Sequence, residues 1–185
     1  MTIKAFLIAF VIVFSWPLMA MNADVRVALI GDSHVEALGP LLSAAAKQHS
    51  RLLKFEAHRG SRAANSLRHP SWGKWLEDFD PQIVIVNLGT NESRSRRRVA
   101  DLPRSFQSFA DYLANGGKRQ VVWIMPPRLK KVRNLPAVWS GLKRLHGVAI
   151  LNFADKKYEM RQDGVRLTAR GYGHWAKDIA HDLKI

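Results

Sequence analysis

At 185 residues the chain can build one well-cored domain but not two ordinary ones. Its 47% hydrophobic and 24% charged residues are globular usage and exclude a disordered or fibrous protein, and the absence of cysteine excludes disulfide frameworks, thiol nucleophiles, zinc fingers and iron–sulfur clusters. Lys+Arg 29 against Asp+Glu 15 leaves a net charge of +14, a field that attracts anionic partners such as nucleic acid, anionic lipid or acidic polysaccharide.

Residues 1–23 read as a targeting segment. Lys4 precedes an apolar run from Ala5 to Phe14 that is short for a bilayer span, and Pro17 with small residues near Ala20 and Ala23 completes the order of a secretory signal peptide. Cleavage after Ala20 or Ala23 would set Leu18 or Met21 at a position that prefers a small residue, so an uncleaved membrane anchor is the alternative. Both place the remaining domain, residues 24–185, outside the cytoplasm: periplasmic, secreted or membrane-associated.

From Asp24 onward, short β-branched runs alternate with amphipathic stretches of helix length, which is the pattern of a parallel sheet covered on both faces. The strands are expected at Val25–Ile30, Leu52–Ala57, Ile83–Leu88, Gln120–Met125 and Val148–Asn152. The helices are expected at Val35–Lys47, Ser71–Phe79, Leu102–Ala114, Pro136–Leu145 and Ala169–Leu183. The fold class is therefore a three-layer α/β/α sandwich on a five-stranded parallel sheet. With the flavodoxin-like order 2-1-3-4-5, the first and third strands meet at the switch point where ligands bind.

The loops at that point read Gly31-Asp32-Ser33-His34, Arg59-Gly60-Ser61 and Gly89-Thr90-Asn91-Glu92. Ser33 sits on a tight turn before a helix, where backbone N–H groups can hold the charge that develops on an attacked carbonyl, so it is the candidate nucleophile. Gly60 can offer an open backbone N–H and Asn91 a side-chain amide, which with the Ser33 N–H makes a three-donor oxyanion hole. Each has a plainer use as well: Ser33 as a helix N-cap, Gly60 as a turn glycine, Asn91 as a loop cap.

Gly31-Asp32-Ser33, Gly60, Gly89-Thr90-Asn91 and Asp163-Gly164-Val165-Arg166, spread over nearly the whole domain, resemble the blocks of the SGNH (GDSL-like) hydrolases. The resemblance implies a hydrolase of acyl or acetyl esters of carbohydrates, lipids or small molecules, with Asp163 as the acid. One position departs from it. Arg166 stands where the family has its histidine, and a guanidinium stays protonated and only donates, so it cannot take the serine's proton. Asp163 and Arg166 would more naturally pair with each other, and Arg166 could bind an anionic group of a ligand.

The substitute bases to weigh are His34, next to the nucleophile on a turn where neighbouring side chains diverge; His58, just before Gly60; and His174, about 12 Å along the last helix. His49, His69, His146 and His181 read as surface or packing residues. Arg94, Arg96, Arg97 and Arg98 overlook the mouth of the site, and Arg128, Lys130, Lys131 and Arg133 share that rim. The expected partner is an ester or an anionic small molecule or glycan; with no nucleic-acid motif and an export segment, nucleic acid is disfavoured. The tryptophans read as packing residues. No metal-ligand spacing occurs, and neither metal nor cofactor is expected. An inactive relative that keeps the pocket for binding is the alternative to an esterase.

Overall fold

The computed structural model describes residues 25–49, 51–66, 70–94 and 99–185, so residues 1–23, expected as a targeting segment, lie outside it. Among the described residues no helix is long and apolar enough to cross a membrane. Five parallel strands, β1 (Arg26–Gly31), β2 (Leu52–Ala57), β3 (Ile83–Asn87), β4 (Gln120–Ile124) and β5 (Val148–Leu151), form one sheet in the order β2-β1-β3-β4-β5.

The strand sequences explain why both faces need helices. In a strand, successive side chains point to opposite faces, and here both sets are apolar. Val27 and Leu29 of β1, Ile85 of β3 and Val122 and Ile124 of β4 enter one core. Ala28, Ile30, Val84, Val86, Val121 and Trp123 enter the other. Each fully buried Val, Leu or Ile contributes about 1.5–3 kcal/mol of transfer free energy, so an uncovered face would be costly.

The first core is roofed by α1 (Ser33–Gln48) and α7 (Ala169–Leu183), which place Leu38, Leu42, Trp175 and Ile179 against it. The second is roofed by α3 (Pro70–Phe79), α5 (Leu102–Ala114) and α6 (Leu135–Leu142), through Trp72, Leu76, Phe106, Phe109 and Val138. Trp123 is fully buried between Phe106 and Phe109, and its indole N–H donates to the Leu88 carbonyl at 3.1 Å, which satisfies its polar atom in the core.

Two four-residue helices, α2 (Ala63–Ser66) and α4 (Thr90–Ser93), and a 3₁₀ turn at Val99–Asp101 occupy loops in which no helix was expected. Both short helices lie in loops that follow the carboxyl ends of strands. β1 runs one residue further than expected because Gly31 still pairs with Ala57 and Asn87. A Cβ at that position would collide with the Asn87 carbonyl oxygen and the Val35 side chain, so only glycine lets β1 turn into α1 this close to β3.

Candidate active site

Asp32 creates the turn that carries Ser33. Its backbone is extended (φ −94°, ψ −155°) and its carboxylate accepts the His34 N–H at 2.9 Å, which makes it the N-cap of α1. Ser33 is thereby the first helical residue, half-buried, at the positive end of a 16-residue helix.

Three loops meet at this turn. The Asn91 amide donates to Asp32 Oδ2 at 2.9 Å and to the Ser61 carbonyl at 3.1 Å. The His58 N–H donates to the Gly31 carbonyl at 2.9 Å, and the Ala63 N–H donates to Glu92 Oε1 at 2.6 Å. Ser33, Gly60 and Asn91 thus belong to loops hydrogen-bonded directly to one another. Among the described residues no hydrogen bond reaches Ser33 Oγ or the Gly60 N–H. Gly60 has φ +77° and is exposed, with nothing within 4 Å of where a Cβ would stand. Asn91 differs, since both of its amide hydrogens are already engaged.

Beneath these loops lie two carboxyl groups that motif reading did not single out. Burial pushes Asp32 up to about 7, against the opposing pull of the His34 N–H. Burial likewise pushes Glu92 up to about 7, with the nearby Asp32 charge adding to the rise, and among the described residues Glu92 Oε2 has no hydrogen-bond partner. The signal for both was present in the letters: acids flanking Ser33 and Asn91 on turns that the fold must bury.

The histidines lie in different surroundings. His34 is buried in the α1–α7 interface, with Nδ1 2.8 Å from the Tyr172 hydroxyl and its ring beside Tyr172 and Trp175. Burial, with the Arg166 charge second, lowers it to about 4, so the ring is neutral at neutral pH. His58 Nε2 lies 2.7 Å from Glu56 Oε1 and 3.0 Å from Ser71 Oγ, and its ring lies against Trp72. Because acid and hydroxyl share one nitrogen, that cluster cannot pass a proton across the ring as a triad does. His174 is exposed on α7. No hydrogen bond joins Ser33 to any of the three.

Asp163 and Arg166 are exposed on the loop between β5 and α7. The hydrogen bonds from this loop to Asp163 Oδ1 come from the backbone N–H groups of Val165 at 2.8 Å and Arg166 at 2.9 Å, which hold the carboxylate below its usual range. No ion pair between the two side chains forms. The Arg166 charge acts on His34, Glu36 and Tyr172, so this loop overlooks the α1 end of the site. Thr168 caps α7 by accepting the Gly171 N–H at 3.1 Å. Across the entrance, Arg59 pairs with Glu36 at 2.7 Å. Arg94 is exposed at the end of α4, and Arg96, Arg97, Arg98 and His69 lie outside the described residues.

The same architecture occurs in known hydrolases. An α/β hydrolase from the metagenome of Lake Arreo, Spain, superposes with a TM-score of 0.73 at 12% identity, over 89% of this chain and 97% of that one. A carbohydrate esterase family 3 structure from Talaromyces cellulolyticus gives 0.70 at 20% identity, over 86% and 96%. A GDSL-like lipase from Bacteroides thetaiotaomicron gives 0.66 at 16% identity, over 86% and 87%. The chain has the SGNH hydrolase fold. No protein-family model matches the sequence, and no curated protein does.

On the SGNH fold, the meeting of the β1, β2 and β3 loops at the switch point follows from the strand order, because β1 lies between β2 and β3. No spacing or motif points to the contact of Tyr172 with His34, which spans 138 residues.

Proposed function

We propose that the protein is an ester hydrolase of the SGNH type in which Ser33 is the nucleophile and turnover is slowed by the lack of a histidine at position 166. The observation that carries this reading is the hydrogen-bonded junction of three loops around Ser33, with Ser33 Oγ and the Gly60 N–H unengaged among the described residues. Ser33 Oγ forms a bond to the ester carbonyl carbon, and the carbonyl oxygen takes up negative charge toward the N–H groups of Ser33 and Gly60. Asn91 joins them by releasing Asp32 or Ser61. The carbonyl then re-forms, the ester C–O bond breaks, and the alcohol leaves with the proton that Ser33 gave up; water adds to the acyl-serine, its oxygen ending in the released acid and one of its protons returning to Ser33 Oγ.

Proton transfer is the weak step. Arg166 cannot accept a proton, and His34, the neutral imidazole nearest in sequence, has Nδ1 committed to Tyr172. Asp163 supports the loop through its backbone bonds, and Arg166 would meet an anionic part of the substrate. The export implied by residues 1–23 is part of the proposal, with a periplasmic, secreted or membrane-anchored product. Amino-terminal sequencing of the protein recovered from each cell fraction tests it.

Arg166 also favours a second reading, in which the site binds an acylated or anionic ligand without hydrolysing it. Hydrolysis of p-nitrophenyl acetate and butyrate by the purified mature protein separates the two. A rate abolished by Ser33→Ala supports the enzyme, and a rate that Ser33→Ala leaves unchanged supports the binder.

A further inference from the structure

A groove of about 480 Å³ lies between the segment after β4 and the segment after β5, and none of its lining residues takes part in the hydrogen-bonded junction at Ser33. The half-buried rings of Trp139 and Tyr158 line it, and both are fixed by their polar ends. The Trp139 indole N–H donates to the Pro126 carbonyl at 2.9 Å, and the Tyr158 hydroxyl donates to Asp178 Oδ2 at 2.8 Å. With those atoms committed, what the two side chains offer a ligand is ring carbon.

Arg128, Lys130, Arg133 and Lys157 also line the groove, all exposed, and no carboxylate does. None of the four forms an ion pair among the described residues. Lys131, in the same run, turns away and donates to the Gln162 carbonyl at 3.2 Å. Four unneutralised cations around an aromatic lining call for a ligand with both negative charge and an apolar ring face.

We infer that this groove is a binding subsite for an acidic saccharide, with sugar ring faces against Trp139 and Tyr158 and ring carboxylates held by Arg128 and Arg133. A guanidinium matches a carboxylate bidentately, and sugar C–H faces pack on aromatic rings while their hydroxyls stay hydrated. An alkyl chain fits less well, because a half-open groove leaves much of it wet and forfeits the transfer free energy that would bind it. A nucleic-acid strand needs a basic track that follows its backbone, whereas these cations are confined to residues 128–133 and 157. The groove loop is joined to the Asp163–Arg166 loop by the Lys131 N–H to the Gly164 carbonyl at 3.0 Å, so a glycan seated here can extend toward Ser33. The inference extends the ligand side of the proposed function and does not depend on hydrolysis.

The experiment is titration calorimetry of the mature protein with trigalacturonate, beside maltotriose, dodecanoate and a short oligothymidylate. Saturable binding of trigalacturonate is expected, weakened at least about tenfold by Arg128→Gln/Arg133→Gln through loss of charge-assisted bonds. A Lys47→Gln/Arg104→Gln control, matched in charge but placed on α1 and α5, should change it less than about twofold at one ionic strength. Equal losses in both variants, or equal binding of maltotriose, would overturn the inference. So would dodecanoate or oligothymidylate binding with the groove dependence while trigalacturonate does not. Ser33→Ala should bind trigalacturonate as the parent does, so an inactive protein with an intact groove sinks only the esterase reading.

Discussion

The Asn91 amide donates to the carboxylate of Asp32 at 2.9 Å, tying the loop after β3 to the turn that presents Ser33. The bond spans 59 residues and is partly buried. Asn91→Ala removes it together with the bond to Ser61, and leaves Asp32 Oδ2 buried without that donor. A stability loss of about 1–3 kcal/mol is expected in urea denaturation, with any esterase rate falling about 10²-fold or more from the lost oxyanion donor. A full loss of rate with unchanged stability would mean that Asn91 acts on substrate alone.

Asp32 and Glu92 give the protein an acid-favouring stability term. Each has a folded pKa near 7, above the ordinary values of 3.8 and 4.5, so between about pH 4 and 7 the folded state binds more protons than the unfolded chain. Stability from this pair is present at low pH and falls as pH rises toward 7. Each pKa unit corresponds to about 1.4 kcal/mol. Asp32→Asn should flatten this fall, and it should lower the Glu92 titration by removing the neighbouring charge. The protonated-carboxyl band in infrared difference spectra between pH 5 and 9 reads both groups, and no band in that window would refute the assignment.

His34 has the opposite sign. Its folded pKa of about 4 lies below the ordinary 6.5, so its contribution is complete above pH 6.5 and is lost as pH falls toward 4. Tyr172→Phe leaves His34 Nδ1 without its hydroxyl partner in a buried site, and a loss of about 1–3 kcal/mol is expected. Unchanged stability with unchanged imidazole chemical shifts would show that the bond is not formed in solution.

Arg166→His restores a reversible proton carrier to the loop that overlooks α1. The expected gain in p-nitrophenyl acetate hydrolysis is about 10²–10⁴-fold, the usual worth of a positioned base, and it should vanish in the Ser33→Ala background. A folded Arg166→His protein with no gain would mean that the loop no longer directs this position at Ser33.

Two glycines of the site should respond differently to alanine. At Gly31 the new methyl group meets the Asn87 carbonyl and Val35, so the variant should be insoluble or lose most of its stability. At Gly60 space is open and only the positive φ resists, at about 1–2 kcal/mol. Thermal melts of the two variants check this, and equal melting temperatures would contradict it.

Much of the architecture was legible in the letters because strand and helix obey different periods. The expected bounds of β2, α5 and α7 coincide with those observed. Helix α1 begins two residues before the expected Val35 because Asp32 is the cap, so Ser33 and His34 are already helical. Helix α6 stops at Leu142 rather than Leu145. The helices α2 and α4 went unseen since four residues hold too little periodicity to register. For the site, the motif letters indicate which loops meet, as the strand order requires. They do not reveal that both Asn91 hydrogens are engaged, that Asp163 bonds backbone N–H groups, or that Tyr172 reaches His34, because partner choice depends on side-chain directions that no spacing encodes.

The pairing of α1 with α7 carries a consequence for biosynthesis. The turn bearing Ser33 is made well before the aromatic wall behind His34, which belongs to α7, 138 residues later. A nascent chain therefore exposes the underside of α1 until α7 has been synthesised, and contacts of such long separation form slowly. A polypeptide that stalls before α7 leaves His34, the neighbour of Ser33, without the Tyr172 hydroxyl that holds it.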